Sequence, residues 1–314
     1  MTVLQIVGNQ SGSGKTSLAA ALLVATNKAG KNAAYYKPFA DGRSADSDVA
    51  FISELLQSIG GPAVPAPGNK GDSSDLTSAQ AATSRLESEA GLVVIEGPDG
   101  SEPYPLESKV ILVHRYSPGD GLPSIPTTIP TLAAVIVNAA PIHRRDEIAR
   151  SITSQSVPVA VIPESRRMLS ITVEQLVKHL AGPWVLDPVN MDAPIDRFMI
   201  GGNIMDEGPT YFGRYSNQAV ITRVERPDIQ MASMCDKTCC LVLTGPGEPT
   251  DYIKSEALKR EVALIQVRTN TLDTADALAG LLDKVDARTA TKAGHFAGLL
   301  EKYLGAETIG LLLS

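Results

Sequence analysis

Residues 3–19, VLQIVGNQSGSGKTSLA, constrain this chain more than any other stretch. A short apolar run, Val3, Leu4, Ile6 and Val7, reads as a buried strand. It breaks into a Gly/Ser loop from Gly8 through Asn9, Gln10, Ser11, Gly12 and Ser13 to Gly14, and Lys15-Thr16-Ser17 then opens an apolar helix. Strand, glycine-rich loop and helix in that order are the context of a phosphate-binding loop. Glycines let backbone N–H groups curl around phosphate oxygens, and the helix N-terminus adds the positive end of its dipole. Gly8, Gly12, Ser13, Gly14, Lys15, Thr16 and Ser17 are therefore the expected nucleotide-binding residues. Lys15 can reach the β/γ-phosphates, and the Thr16 hydroxyl can ligate Mg²⁺.

The spacing has one irregularity. The common form places four residues between the first glycine and Gly-Lys, whereas five separate Gly8 from Gly14 here. The longer loop resembles those of dethiobiotin synthetase and its relatives, including cobyrinic acid a,c-diamide synthase. Partition-type ATPases of the same broad class carry an extra lysine in the loop. Gln10 stands at the matching position, which argues against a dimerising partition switch.

Composition bounds the rest. A chain of 314 residues can form two domains with real cores. A net charge of −7 gives no electrostatic footprint for nucleic acid. The apolar runs fall short of the roughly 20 residues that span a bilayer. The N-terminus enters a strand with no basic n-region or cleavage site, so a cytoplasmic location is expected. Cys235, Cys239 and Cys240 are an odd, clustered set, which suggests reduced thiols. Cys239 and Cys240 begin an apolar run, CCLVLTG, where they read as buried small hydrophobes.

A helix follows the loop over residues 17–28, closing at Gly30, and NAAYYKP (residues 32–38) reads as a second strand. Its Lys37, at a strand end beside the first loop, is placed to neutralise phosphoryl charge. The Lys37-Pro38 pair resembles the Lys-Pro of dethiobiotin synthetase, which implies that Lys37 faces substrate and the transferred phosphate. Lys15 and Lys37 are the catalytic candidates. Asp46-Ser47-Asp48 begins a helix over 49–59, where Asp46 or Ser47 can serve as N-cap; the resemblance implies that Asp48 ligates Mg²⁺ instead. Residues 60–78 read as a loop over the site, and 79–89 as a helix. Residues 91–100, GLVVIEGPDG, place one carboxylate after four apolar residues, the form of a Walker B strand, so Glu96 is a Mg²⁺ ligand candidate.

Further strands are expected over 110–114, 133–138 and 157–164, with a Gly/Pro/Ser-rich loop over 116–130. The resemblance implies that Asn138, ending AAVIVN, bonds the adenine edge. It also implies that Pro163 and Glu164, after the last strand, line the adenine pocket. Residues 1–182 would then form a doubly wound, mostly parallel α/β domain of the P-loop NTPase type.

Residues 183–195, PWVLDPVNMDAPI, with three prolines, read as a linker. Residues 196–314 then look like a smaller α/β domain, with strands at 218–222, 240–244 and 263–266 and a helix over 274–285. A strand leading to Arg226-Pro227-Asp228-Ile229 and a helix, then an apolar strand ending in Thr244-Gly245, is similar to the DRTGG domain. Arg223, Arg226 and Asp228 stand out there, as a ligand-sensing cluster or as a turn ion pair at a helix start. The pairing of the two domains resembles the N-terminal region of long bacterial phosphate acetyltransferases, and it implies a homodimer through residues 196–314. The chain stops at Ser314, so neither their acyltransferase domain nor a glutaminase domain is expected.

Two functions fit these residues: a MgATP-binding regulatory protein, sensing a metabolite or acting on a partner enzyme with slow hydrolysis, and an ATP-dependent ligase activating a carboxylate or carbamate. Departures from dethiobiotin synthetase favour the first. Its substrate serine matches Asp41, its acidic loop residue matches Gly12, and its Glu-Gly-Ala-Gly-Gly reads Glu96-Gly97-Pro98-Asp99-Gly100.

Overall fold

The computed structural model describes residues 2–40, 46–69, 75–117, 119, 129, 131–152, 157–202, 208–282 and 285–314. Asp41 lies outside them. The chain divides into two compact units: Met1–Met168 with Ala287–Ser314, and Leu169–Asp286.

The first unit is built on six parallel strands. In chain order these are β1 (Thr2–Gly8), β2 (Ala33–Tyr36), β3 (Leu92–Asp99), β4 (Lys109–Arg115), β5 (Leu132–Ala140) and β6 (Val159–Pro163). Across the sheet the order is β2-β3-β1-β4-β5-β6. Helices α1 (Lys15–Lys28), α2 (Ser47–Ser58), α3 (Asp75–Glu89) and α4 (Arg145–Ser151) connect them. The apolar runs expected as strands are strands, buried on both faces as parallel strands covered by helices are. Successive residues face opposite layers. Leu4 and Ile6 join the α1 and α2 core, whereas Val3 packs with Ala79 and Leu86 of α3.

The second unit carries a four-stranded parallel sheet in simple order: β7 (Arg197–Gly201), β8 (Gln218–Arg223), β9 (Thr238–Thr244) and β10 (Ala263–Val267). One face packs on α6 (Gly208–Phe212), α7 (Pro227–Ser233) and α8 (Asp251–Lys259) through Phe212, Ile229 and Ile253. The other packs on α5 (Val173–Leu180) and α9 (Thr271–Leu278) through Val173, Leu176 and Leu278. Cys240 is buried in β9, where burial pushes its thiol up, and all three cysteines are free.

These units fall elsewhere than the expected division at 182 and 196. Residues 183–195 are stitched into the second unit: Trp184 bridges Ile265 of β10, and Pro194–Ile195 pairs antiparallel with Ile171–Thr172. Pro183 and Pro194 sit beside edge pairings rather than in a free linker. The chain then returns to the first unit, where α10 (Ala290–Leu304) and α11 (Ala306–Leu312) lie. Ala293, Phe296, Ala297 and Leu300 form one helical stripe in the core that holds Leu4, Ile6 and Leu18. Residues 196–314 are therefore not one domain. Among the described residues no helix is long and apolar enough to cross a membrane.

Candidate functional site

The expected site residues gather at the C-terminal ends of the first sheet, where ligands bind in open α/β folds. The turn into α1 depends on Gly14, whose φ of 106° is left-handed. A Cβ there would also lie 2.5 Å from Asn138 Nδ2. The first-turn amides of α1, from Lys15 to Ser17, have no acceptor one turn back within the helix. Ser13 of the loop is fully buried, and among the described residues its Oγ has no hydrogen-bond partner.

Glu96 arrives on β3, which lies beside β1. Its carboxylate is 5% exposed and takes hydrogen bonds from Thr16 Oγ1 (3.2 Å) and Tyr35 Oη (2.8 Å). Burial, and next the Asp48 charge, push Glu96 up, against the pull of Lys37, Tyr35 and Lys15. Burial and then the Glu96 charge likewise push the Tyr35 phenol well up. Gly97 follows for a steric reason: a Cβ at that position would lie 2.9 Å from Ile6 O and from Val7 Cγ1 on the neighbouring strand.

Lys37 is caged. Its Nζ lies 2.6 Å from Asp48, 2.8 Å from Asp46 and 3.7 Å from Glu96. Burial alone would lower the ammonium; the Glu96 charge and the bonds to Asp46 and Asp48 outweigh it and hold Lys37 above its ordinary value. Asp46 caps α2, accepting from the amides of Asp48 and Val49, so the capping reading holds for Asp46. Asp48 points elsewhere. Arg288 Nε donates to its Oδ1 at 2.7 Å. Burial would raise the Asp48 carboxyl, but the bonds from Lys37 and Arg288 hold it low.

Lys15 is ion-paired with Asp99 at the end of β3. Three cations thus face four carboxylates: Lys15, Lys37 and Arg288 against Asp46, Asp48, Glu96 and Asp99. Among the described residues no group of three or more His, Cys, Asp or Glu could hold a metal ion.

Asn138 ends up against the loop itself. Its Nδ2 donates to Ser13 O at 2.9 Å, and its Oδ1 accepts from the Ala139 amide at 2.9 Å. Pro163 pairs in register with Ala140, and the Glu164 amide donates to Ala140 O, so Asn138, Pro163 and Glu164 share adjoining strand ends. Gly8 closes β1, Gly12 O accepts from Arg115 Nη1 at 3.1 Å, and the Arg115 amide donates to Asn9 Oδ1. Sequence reasoning missed Arg115, Asp99 and Arg288. Asp99 alone carried a signal, as a carboxylate three residues after the Walker B glutamate.

In the second unit Arg226 and Asp228 pair with each other, by two bonds of 2.9 and 2.7 Å, at the start of α7. That bond is the main cause holding Asp228 at about 2. The turn ion pair is the reading this geometry supports.

Residues 2–113 match the family model of an AAA domain, and residues 175–281 that of the DRTGG domain. The chain thus pairs a P-loop domain with a DRTGG domain. A solved structure of the CBS and DRTGG domains of the regulatory region of Clostridium perfringens pyrophosphatase, complexed with the activator diadenosine tetraphosphate, aligns at 14% identity with a TM-score of 0.31. The alignment covers 48% of this chain and 72% of that one.

Proposed function

We propose that the first unit binds MgATP and that the protein reports this binding, with slow hydrolysis, rather than using it for ligation. The observation that carries the reading is that Lys15 and Thr16 open α1 directly after the left-handed Gly14, with Thr16 Oγ1 bonded to the buried Glu96. A lysine, a hydroxyl and a buried carboxylate at a helix N-terminus suit a polyphosphate with a divalent cation.

The donor set fits Mg²⁺. That ion takes one or two carboxylates, with phosphate oxygens and waters completing its octahedron, and rarely an all-protein cage. Glu96 supplies one carboxylate with the Thr16 hydroxyl beside it, and Asp48 is joined to Glu96 through Lys37. When bound, the ion would offset phosphate charge in a site that carries one more carboxylate than cation. The base would meet Asn138, Pro163 and Glu164. The Asn138 amide keeps one N–H and one lone pair beyond its bonds to Ser13 and Ala139.

Lys37 separates the regulator from the ligase. A ligase of the dethiobiotin synthetase or cobyrinic acid a,c-diamide synthase type needs a cation free to stabilise transferred phosphoryl charge. Three carboxylates surround Lys37 instead. MgATP titration by calorimetry tests the site: Lys15→Ala should weaken binding at least tenfold, about 1.4 kcal/mol, and unchanged affinity would remove the assignment. ADP release with diaminopelargonate plus CO₂, or with cobyrinic acid plus ammonia, tests the ligase. Substrate-dependent turnover lost in both Lys15→Ala and Lys37→Ala would replace the regulatory reading. We also propose a homodimer through the second-unit part of residues 196–314. Support comes from β7, an edge strand whose Ile200 is 51% exposed. A monomer at micromolar concentration by light scattering would exclude it.

A further inference from the structure

Both lysines of the site are already paired, but the two pairings differ in kind. The Lys37 cage is set among groups fixed from several sides: Asp46 caps α2, Asp48 also takes Arg288, and Glu96 takes Thr16 and Tyr35. Among the described residues Lys15 is ion-paired with one carboxylate, Asp99, which is half exposed, and Glu96 feels its charge without pairing with it. The Lys15 side chain is 11% exposed and the Asp99 side chain 45%.

The backbone under Asp99 is fastened to the loop. Asp99 is paired in register with Gly8, past a shift in the β1–β3 ladder. The amides of Gly100 and Ser101 both donate to Gly8 O, at 2.8 and 2.9 Å. Gly100 (φ 96°) and Ser101 (φ 66°) are both left-handed, which turns the chain back at this point. The Asp99 backbone is thereby held at the loop, while its exposed carboxylate can rotate into water without disturbing packed atoms.

Resting on the nucleotide reading above and deepening it, we propose that Asp99 is a displaceable counter-ion for the phosphate-binding lysine. Asp99 occupies Lys15 until the phosphate chain of a nucleoside polyphosphate takes its place. No bond is made or broken in this exchange: one anion replaces another on the ammonium group, and Asp99 turns to solvent. Two consequences follow. The phosphate chain enters against a resident negative charge, so affinity is held below what the loop alone would give. The charge to be displaced is local, so the effect falls on the phosphates and not on the base.

The experiment titrates the full-length protein with MgATP, Mg-tripolyphosphate and adenosine by calorimetry. Asp99→Asn and Asp99→Ala should each bind MgATP and Mg-tripolyphosphate at least tenfold more tightly than the unaltered protein, with adenosine affinity unchanged. Alanine cannot donate a hydrogen bond to phosphate, so a gain confined to Asp99→Asn overturns the counter-ion role. If the unaltered protein binds MgATP and both variants bind equally or more weakly, the inference fails while the nucleotide site stands. If neither the unaltered protein nor the variants bind, the nucleotide reading fails and this inference falls with it. Far-UV circular dichroism of each variant confirms that the comparison is between folded proteins.

Discussion

Lys37→Ala is the sharpest perturbation of the charge network. The substitution removes the one ammonium shared by Asp46, Asp48 and Glu96, at 2.8, 2.6 and 3.7 Å. Deleting one partner of a buried ion pair costs about 3–5 kcal/mol, because the remaining charge is left uncompensated. The Lys37 side chain retains 15% exposure, and Arg288 still neutralises Asp48, so the lower end applies, about 3 kcal/mol at pH 8. The loss depends on pH with a definite sign. Burial and the Asp48 charge already raise the Glu96 carboxyl, and losing Lys37 raises it further. A carboxyl whose folded value lies above its unfolded value, about 4.3, binds protons more tightly in the native state. Stability then rises as pH falls through the raised value, by up to about 1.4 kcal/mol per pH unit. The Lys37 ammonium itself is charged at both pH 5 and pH 8, since its own value is raised. Urea unfolding followed by far-UV circular dichroism should show a larger deficit for Lys37→Ala at pH 8 than at pH 5. A deficit below about 1 kcal/mol at pH 8, or equal deficits at both pH values, refutes the cage as a buried, coupled network.

Gly97→Ala should lower stability by about 2 kcal/mol through overpacking, since its Cβ would meet Ile6 O and Val7 Cγ1 at 2.9 Å; an unchanged melting temperature would contradict it. Asn138→Ala removes the donor to Ser13 O and should weaken tripolyphosphate as well as ATP, with a stability loss of about 1 kcal/mol. Calorimetry with both ligands checks this, and a loss confined to ATP would assign the amide to the base alone. Arg288→Gln should cost about 1 kcal/mol near neutral pH. Asp48 is held low in the fold, so its contribution is present above its unfolded value and lost as pH falls through its folded value. The Arg288→Gln deficit should therefore shrink in acid, and urea curves at neutral and acidic pH measure it.

Local sequence signals carried far in the first half of the chain. Apolar runs flanked by Gly and Pro located all six strands of the first sheet within a few residues, because parallel strands buried on both faces are near-continuous apolar segments. Gly14-Lys15-Thr16 and Glu96-Gly97 were legible because each residue type answers a local steric or chemical need. What stayed hidden was pairing between distant residues. Nothing near Lys37 in sequence shows that Glu96, 59 positions on, shares its ammonium with Asp46 and Asp48. Asp46 and Asp48 both suit the start of a helix, and only the side-chain directions separate the cap from the residue facing Arg288.

The path of the chain was the larger omission. Ala293, Phe296, Ala297 and Leu300 recur at helical spacing, so α10 is readable as an amphipathic helix. Periodicity, however, says only that a face is buried, not in which core, and α10 packs in the core of the first unit. The second unit is therefore an insertion, joined to the first at both Met168/Leu169 and Asp286/Ala287. Each crossing has a side-chain tie close by on the first unit: Ser165 Oγ to His295 Nε2 at 2.8 Å, and Arg288 to Asp48 at 2.7 Å. An inserted unit cannot be removed by one cut. Ending the chain at 286 would strip α10 from the core around Leu4, Ile6 and Leu18 and Arg288 from Asp48 together. Loss of nucleotide binding in such a truncation would therefore say nothing about regulation by the second unit. Only replacement of residues 169–286 by a short bridge, leaving both ties in place, asks that question of an intact site.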